Sequence, residues 1–112
     1  MYNGPANRTV PVPHRGETHL RLPGHGDQGP TLEIFNYNIM QEKSPIAVNR
    51  PGSGHIAFVV DDVPAAREAV LAAGGAPVGE VVTLTNAAGA RLTWVYVTDP
   101  EGNVLELQSR PK

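Results

Sequence analysis

The sequence predicts an α+β fold: one complete βαβββ module built on a mixed sheet, together with the closing hairpin of a second such module. Three observations predict it. From residue 55 onward, strand-like runs flank one helix-forming stretch in the order strand, helix, strand, strand, strand. That helix is punctuated at both ends by capping residues. Two strand–turn–strand segments, far apart in the chain, echo one another.

Residues 1–17 (MYNGPANRTVPVPHRGE) are rich in Pro, Gly, Asn and Arg and sustain neither periodicity, so they read as an irregular arm with at most a short strand at Thr9 to Val12. Thr18 to Leu22 alternates polar and apolar residues as a strand does. A turn cluster follows from Pro23 to Pro30, and Thr31 to Tyr37 (TLEIFNY) is a second strand, so the two runs form a hairpin. Residues 38–54 carry Pro45, Pro51, Gly52 and Gly54 and read as a linker, with an ordered piece around Ile46 to Val48.

His55 to Val60 (HIAFVV) is the first strand of the complete module. Asp61 and Asp62 are placed to cap a helix, and Pro64 suits its first turn, where a missing N–H costs little. Ala65 to Ala73 is helix-forming, with Ala66, Ala69, Val70 and Ala73 on one face, and Gly74-Gly75 ends it by accepting a left-handed conformation. Val78 to Thr85, Arg91 to Thr98 and Asn103 to Gln108 are the remaining strands. They are joined by turns at Asn86 to Gly89 and at Asp99-Pro100-Glu101-Gly102.

The echo lies between Leu20-Arg21-Leu22 with Thr31-Leu32-Glu33-Ile34 and Val95-Tyr96-Val97 with Val104-Leu105-Glu106-Leu107. It implies that residues 18–37 are the tail of a partial first module and residues 55–108 a complete second module, within one domain of residues 18–112. The opening strand, helix and second strand of the first module have no counterpart in residues 1–17. Unclosed sheet edges and uncovered apolar surface then call for a homodimer or larger assembly.

Composition narrows the chemistry. With 112 residues, 40% of them hydrophobic, the chain suits one small globular domain. A net charge of −2 without a basic block argues against nucleic acid or a membrane surface as partner. No apolar run is long enough to span a bilayer and the N-terminus lacks an apolar signal core, so a cytoplasmic protein is expected. There are no cysteines, so thiolate ligands and thiol nucleophiles are excluded. Any metal must be held by His, Asp, Glu, backbone or water.

Alternation along strands then singles out three residues. Glu33 faces away from Leu32 and Ile34, and Glu106 faces away from Leu105 and Leu107. His55 shares a face with Ala57 and Val59 rather than with Ile56, Phe58 and Val60. Each strand thus keeps an apolar face for the core and offers one metal-competent group on the other. One imidazole and two carboxylates suit Zn²⁺, Ni²⁺, Mn²⁺, Fe²⁺ or Co²⁺. Each residue taken alone reads first as a solvated strand position, and only their shared parity raises the set. Ser53 lies in a Gly-Ser-Gly loop without a nucleophile elbow, and Gly24-His25-Gly26 is not a phosphate loop.

Gly54-His55-Ile56-Ala57-Phe58-Val59-Val60-Asp61-Asp62-Val63 resembles the entry strand of a glyoxalase-type module. Tyr96-Val97-Thr98-Asp99-Pro100-Glu101-Gly102-Asn103-Val104-Leu105-Glu106-Leu107 resembles its closing hairpin, and Gly29 to Phe35 is similar to the closing strand of a first module. Over residues 18–108 the chain resembles the glyoxalase / bleomycin resistance protein / extradiol dioxygenase superfamily, the vicinal oxygen chelate fold. The resemblance implies a curved, cup-shaped sheet and a divalent metal held by Glu33, His55 and Glu106. The fourth position comes from the first strand of module one, which this chain lacks; His14, His19 or another subunit are candidates for it.

The activity implied is chelation of two neighbouring oxygens of a small carbonyl substrate and abstraction of an adjacent proton, with Glu106 as the catalytic base, in a lyase or epimerase. Two alternatives stand beside it. One is an Fe(II) extradiol dioxygenase, which takes two histidines and one carboxylate. The other is a metal-free, ligand-sequestering protein of the bleomycin-resistance type, with Trp94 and Tyr96 lining the cup or packing in the core.

Overall fold

The computed structural model describes residues 14–42, 46–52 and 54–110, and the expected Thr9 to Val12 strand lies outside them. The chain divides into two compact units, Met1–Lys43 and Ser44–Lys112.

The first unit is a two-stranded antiparallel ribbon of β1 (His14–Arg21) and β2 (Thr31–Tyr37). The connecting turn is closed by the Leu22 amide donating to the Pro30 carbonyl and by the Arg21 guanidinium donating to the Asp27 carbonyl. β1 begins at His14 rather than at Thr18. Its first residues lack alternation, but they are paired against Tyr37 to Phe35, and this ladder outweighs their weak local preference. Within this ribbon Leu20, Ile34 and Phe35 stay exposed.

The second unit is a five-stranded mixed sheet with one helix. Its elements are β3 (Ile56–Val59), α1 (Val63–Ala72), β4 (Ala76–Pro77), β5 (Val82–Thr85), β6 (Arg91–Thr98) and β7 (Val104–Ser109). The strand order is β3-β7-β6-β4, with β5 also paired to β6. β3 runs parallel to β7, and the other pairings are antiparallel. The sequence suggests one strand over Val78 to Thr85, but the structure has two. The chain takes five steps from Pro77 to Val82 where β6 takes three from Val97 to Trp94, so the excess bulges out around Gly79.

Helix α1 starts where the Asp62 carboxylate accepts the Ala65 amide at 3.0 Å, with Pro64 in the first turn. It ends at Gly74, whose φ of +103° only glycine adopts easily, and the Gly75 amide closes back on the Val70 carbonyl at 3.0 Å. Its inward face is Val63, Ala66 and Val70. Ala69 and Ala73, expected on that face, are exposed. The helix lies on β6 and β7, and together they enclose the core of Val63, Val95, Val97 and Leu107, flanked by Phe58, Val60 and Leu105. Val95 and Val97 are 1% and 0% exposed, and burying such a side chain contributes roughly 1.5–3 kcal/mol. No helix among the described residues is long and apolar enough to cross a membrane.

Candidate functional site

Because Val95, Val97, Leu105 and Leu107 turn toward the helix, the residues between them turn to the other face of the sheet. Register aligns them there: Tyr96 and Glu106 are partners across β6 and β7, Trp94 pairs with Gln108, and Ala57 of β3 lies beside Glu106. His55 directly precedes β3 and reaches the same place.

His55 Nε2 donates to Glu106 Oε1 at 3.1 Å. The side chains are 35% and 15% exposed respectively, so the carboxylate is the more shielded partner. The Tyr96 ring meets the imidazole edge-on, with centroids 5.1 Å apart and planes at 89°. The second carboxylate oxygen is also occupied. Gln108 Nε2 donates to Glu106 Oε2 at 2.7 Å, and Arg110 Nε donates to Gln108 Oε1 at 2.6 Å. Alternate residues of one strand thus form a chain of polar contacts that ends on His55. Gln108 is only 7% exposed, so its amide is committed to these two neighbours.

Just before β7, the Asp99 to Asn103 turn fixes the start of this strand. Asp99 Oδ1 accepts the Glu101 and Asn103 amides at 2.9 and 2.8 Å, and Oδ2 accepts the Asn103 side-chain amide at 2.8 Å. Partial burial pushes this carboxyl up, but the hydrogen bonds from Asn103, Glu101 and Gly102 outweigh it and hold the pKa below the ordinary value of 3.8.

Glu33 lies in the first unit. Its register partner is His19, whose Nε2 is 3.6 Å from Glu33 Oε1 and 3.5 Å from Glu17 Oε2. One ligand atom from each of Glu17, His19 and Glu33 falls within 4.8 Å of the other two, and all three residues are exposed. Glu17 was not singled out by the sequence. The signal was the hairpin closure at Leu22 and Pro30, which sets His19 opposite Glu33, with Glu17 two residues back on the same face. His25 is an exposed turn residue, and the His14 side chain lies outside the described residues. Gln108 and Arg110 were also missed, although both share the parity of Glu106.

The family model described as Glyoxalase/Bleomycin resistance protein/Dioxygenase superfamily matches residues 4–107. No curated relative matches this chain. Among solved structures the chain is similar to a glyoxalase family protein from Bacillus cereus, at 16% identity and a TM-score of 0.65, over 95% of this chain and 83% of that one. It is also similar to an integron cassette protein from V. cholerae, at 24% identity and a TM-score of 0.43, over 96% of this chain and 86% of that one. The Bacillus likeness supports the fold, and the expected α+β class with a curved sheet is the one observed.

Proposed function

This chain belongs to the Glyoxalase/Bleomycin resistance protein/Dioxygenase superfamily, and from that premise we propose that it is a metal-dependent lyase or epimerase acting on a small carbonyl compound. The observation that carries the proposal is the contact of His55 Nε2 with Glu106 Oε1 at 3.1 Å. Two donor atoms each about 2.1 Å from one ion lie roughly 3.0–3.4 Å apart, whether octahedral or tetrahedral. An imidazole nitrogen and a carboxylate oxygen suit Zn²⁺, Ni²⁺, Mn²⁺, Fe²⁺ or Co²⁺. The residues present therefore fit a divalent ion.

His55 would give up its Nε2 proton to become a ligand, so loading releases a proton and weakens as pH falls. Glu33, with His19 and Glu17 beside it, is proposed as a further carboxylate ligand. A bound cation would supply Lewis-acid polarisation of two neighbouring substrate oxygens. Glu106 is proposed as both ligand and base, the base role being toward the proton on the carbon next to the carbonyl, while Gln108 holds Oε2. Tyr96 keeps the His55 ring from rotating away.

The proposed organisation is a partial first module over residues 18–37, a linker over 38–54 and a complete second module over 55–108. A homodimer is proposed because Leu20, Ile34, Phe35, Ile39 and Met40 leave the first unit with apolar surface to cover.

The test is elemental analysis of chelator-stripped, remetallated protein, wild type against His55→Ala, Glu106→Ala and Glu33→Gln. Stoichiometric metal that is lost in the first two variants, and weakened in the third, is expected. Wild-type protein that retains no metal would sink the proposal in favour of a metal-free binding protein.

A further inference from the structure

The polar chain that starts at His55 runs into a groove that neither the fold nor the metal pair explains. This groove has a volume of about 490 Å³ and is lined by Leu84 and Asn86 at the β5–β6 hairpin, by Arg91 and Leu92 of β6, and by Gln108 and Arg110 at the end of β7. The size suits a small organic molecule.

Its chemistry is one-sided. Leu84 and Leu92 are register partners and stand exposed, so they make an apolar strip. The guanidinium of Arg110, which has the parity of Glu106 and Gln108, borders it, and no carboxylate lines it. Among the described residues neither Arg91 nor Arg110 is paired with an acid, and only Nε of Arg110 is committed, to Gln108. Asn86 is not free to rearrange, since its Oδ1 accepts the Ala88 and Ala90 amides at 2.9 and 3.0 Å and holds the hairpin rim. An arginine fork beside an apolar strip suits a short hydrocarbon that ends in a carboxylate. Gln108 belongs both to the groove and to the hydrogen-bonded chain on Glu106, so the groove adjoins Glu106 through that one side chain.

We propose that this groove is the subsite for the anionic tail of the substrate, which would make the substrate a carbonyl compound carrying a short aliphatic carboxylate. The inference rests on the metal-enzyme reading only for the placement of the reacting end at Glu106; the tail subsite stands on the groove itself.

The test uses the full chain without added metal, with hexanoate as probe and hexanamide as its uncharged match, each titrated while backbone amide resonances are recorded. Hexanoate is expected to shift Leu84 to Leu92 and Gln108 to Arg110, with an affinity about tenfold above that of hexanamide, the factor expected for one charge-assisted pair. Arg110→Gln is expected to remove most of that difference and Arg110→Lys to restore part of it, which separates lost charge from lost fold. Equal affinities for the two probes, shifts confined to other residues, or an Arg110→Gln variant that binds as wild type does would each overturn the subsite. Metal loading is read separately, so loss of the subsite and loss of the metal reading are distinct results.

Discussion

Gln108→Leu tests whether the chain behind Glu106 matters to what Glu106 holds. Leucine keeps the volume of a side chain that is 7% exposed but removes two hydrogen bonds, one of 2.7 Å to Glu106 Oε2 and one of 2.6 Å from Arg110. A hydrogen bond to a charged group is worth about 1.5–3 kcal/mol, and about 1.4 kcal/mol is a factor of ten in binding. If the Gln108 contact is what keeps Glu106 Oε1 turned toward His55, its loss should weaken Zn²⁺ binding about 10- to 100-fold, the range found when the partners of metal ligands are removed. The stability cost should be smaller, about 1–2 kcal/mol, because the Glu106 side chain is 15% exposed and water can take up part of the contact. The assay is competition for Zn²⁺ against a chromophoric chelator, with a urea melt of the same samples. An affinity within twofold of wild type in a folded variant would refute the reasoning, since Glu106 would then be oriented without Gln108.

Three further outcomes follow from the fold. The hydrogen bonds on Asp99 hold its folded pKa below 3.8, so its stabilisation is present above that value and is lost as pH falls through the folded pKa; thermal melts in acid should show wild type losing stability more steeply than Asp99→Asn. Gly75→Ala should destabilise by more than about 2 kcal/mol in urea melts, because the added Cβ would collide with the Thr98 carbonyl and sit 2.6 Å from Val70 Cγ1. Asp62→Ala should cost about 1 kcal/mol in the same assay through loss of the cap on the Ala65 amide.

What could be read in advance follows the range of the forces involved. β2 and β6 have the bounds that alternation indicated, because each carries its own period-two pattern. The start of β1 was hidden because His14 to Glu17 become a strand only through pairing with Tyr37 to Phe35. The bulge at Gly79 was hidden for the same reason, since it exists only in relation to β6. The helix face differs because it is anchored by Val63, just outside the expected segment, with Ala66 and Val70, and Ala69 and Ala73 lie outside that stripe. At the site, parity sufficed to put His55 and Glu106 on one face, and β3 beside β7 brings them into contact. Parity could not say that Gln108 is buried, because that depends on neighbours such as Trp94 across the sheet.

β7 shows why membership of this superfamily leaves the activity open. Leu105 and Leu107 face the helix and carry the packing, while Glu106, Gln108 and Arg110 carry the polar chain on the other face. The two sets share a backbone but not an environment, so a change on the polar face costs little core energy. Substituting Arg110 or Gln108 would leave Val95, Val97 and Leu107 packed as they are. A fold built this way can keep its hairpin and its core while the groups beside Glu106 change, and with them the ligand. The chemistry of this protein is therefore to be sought in the residues that alternate with its core, from His55 through Glu106 and Gln108 to Arg110 of the groove.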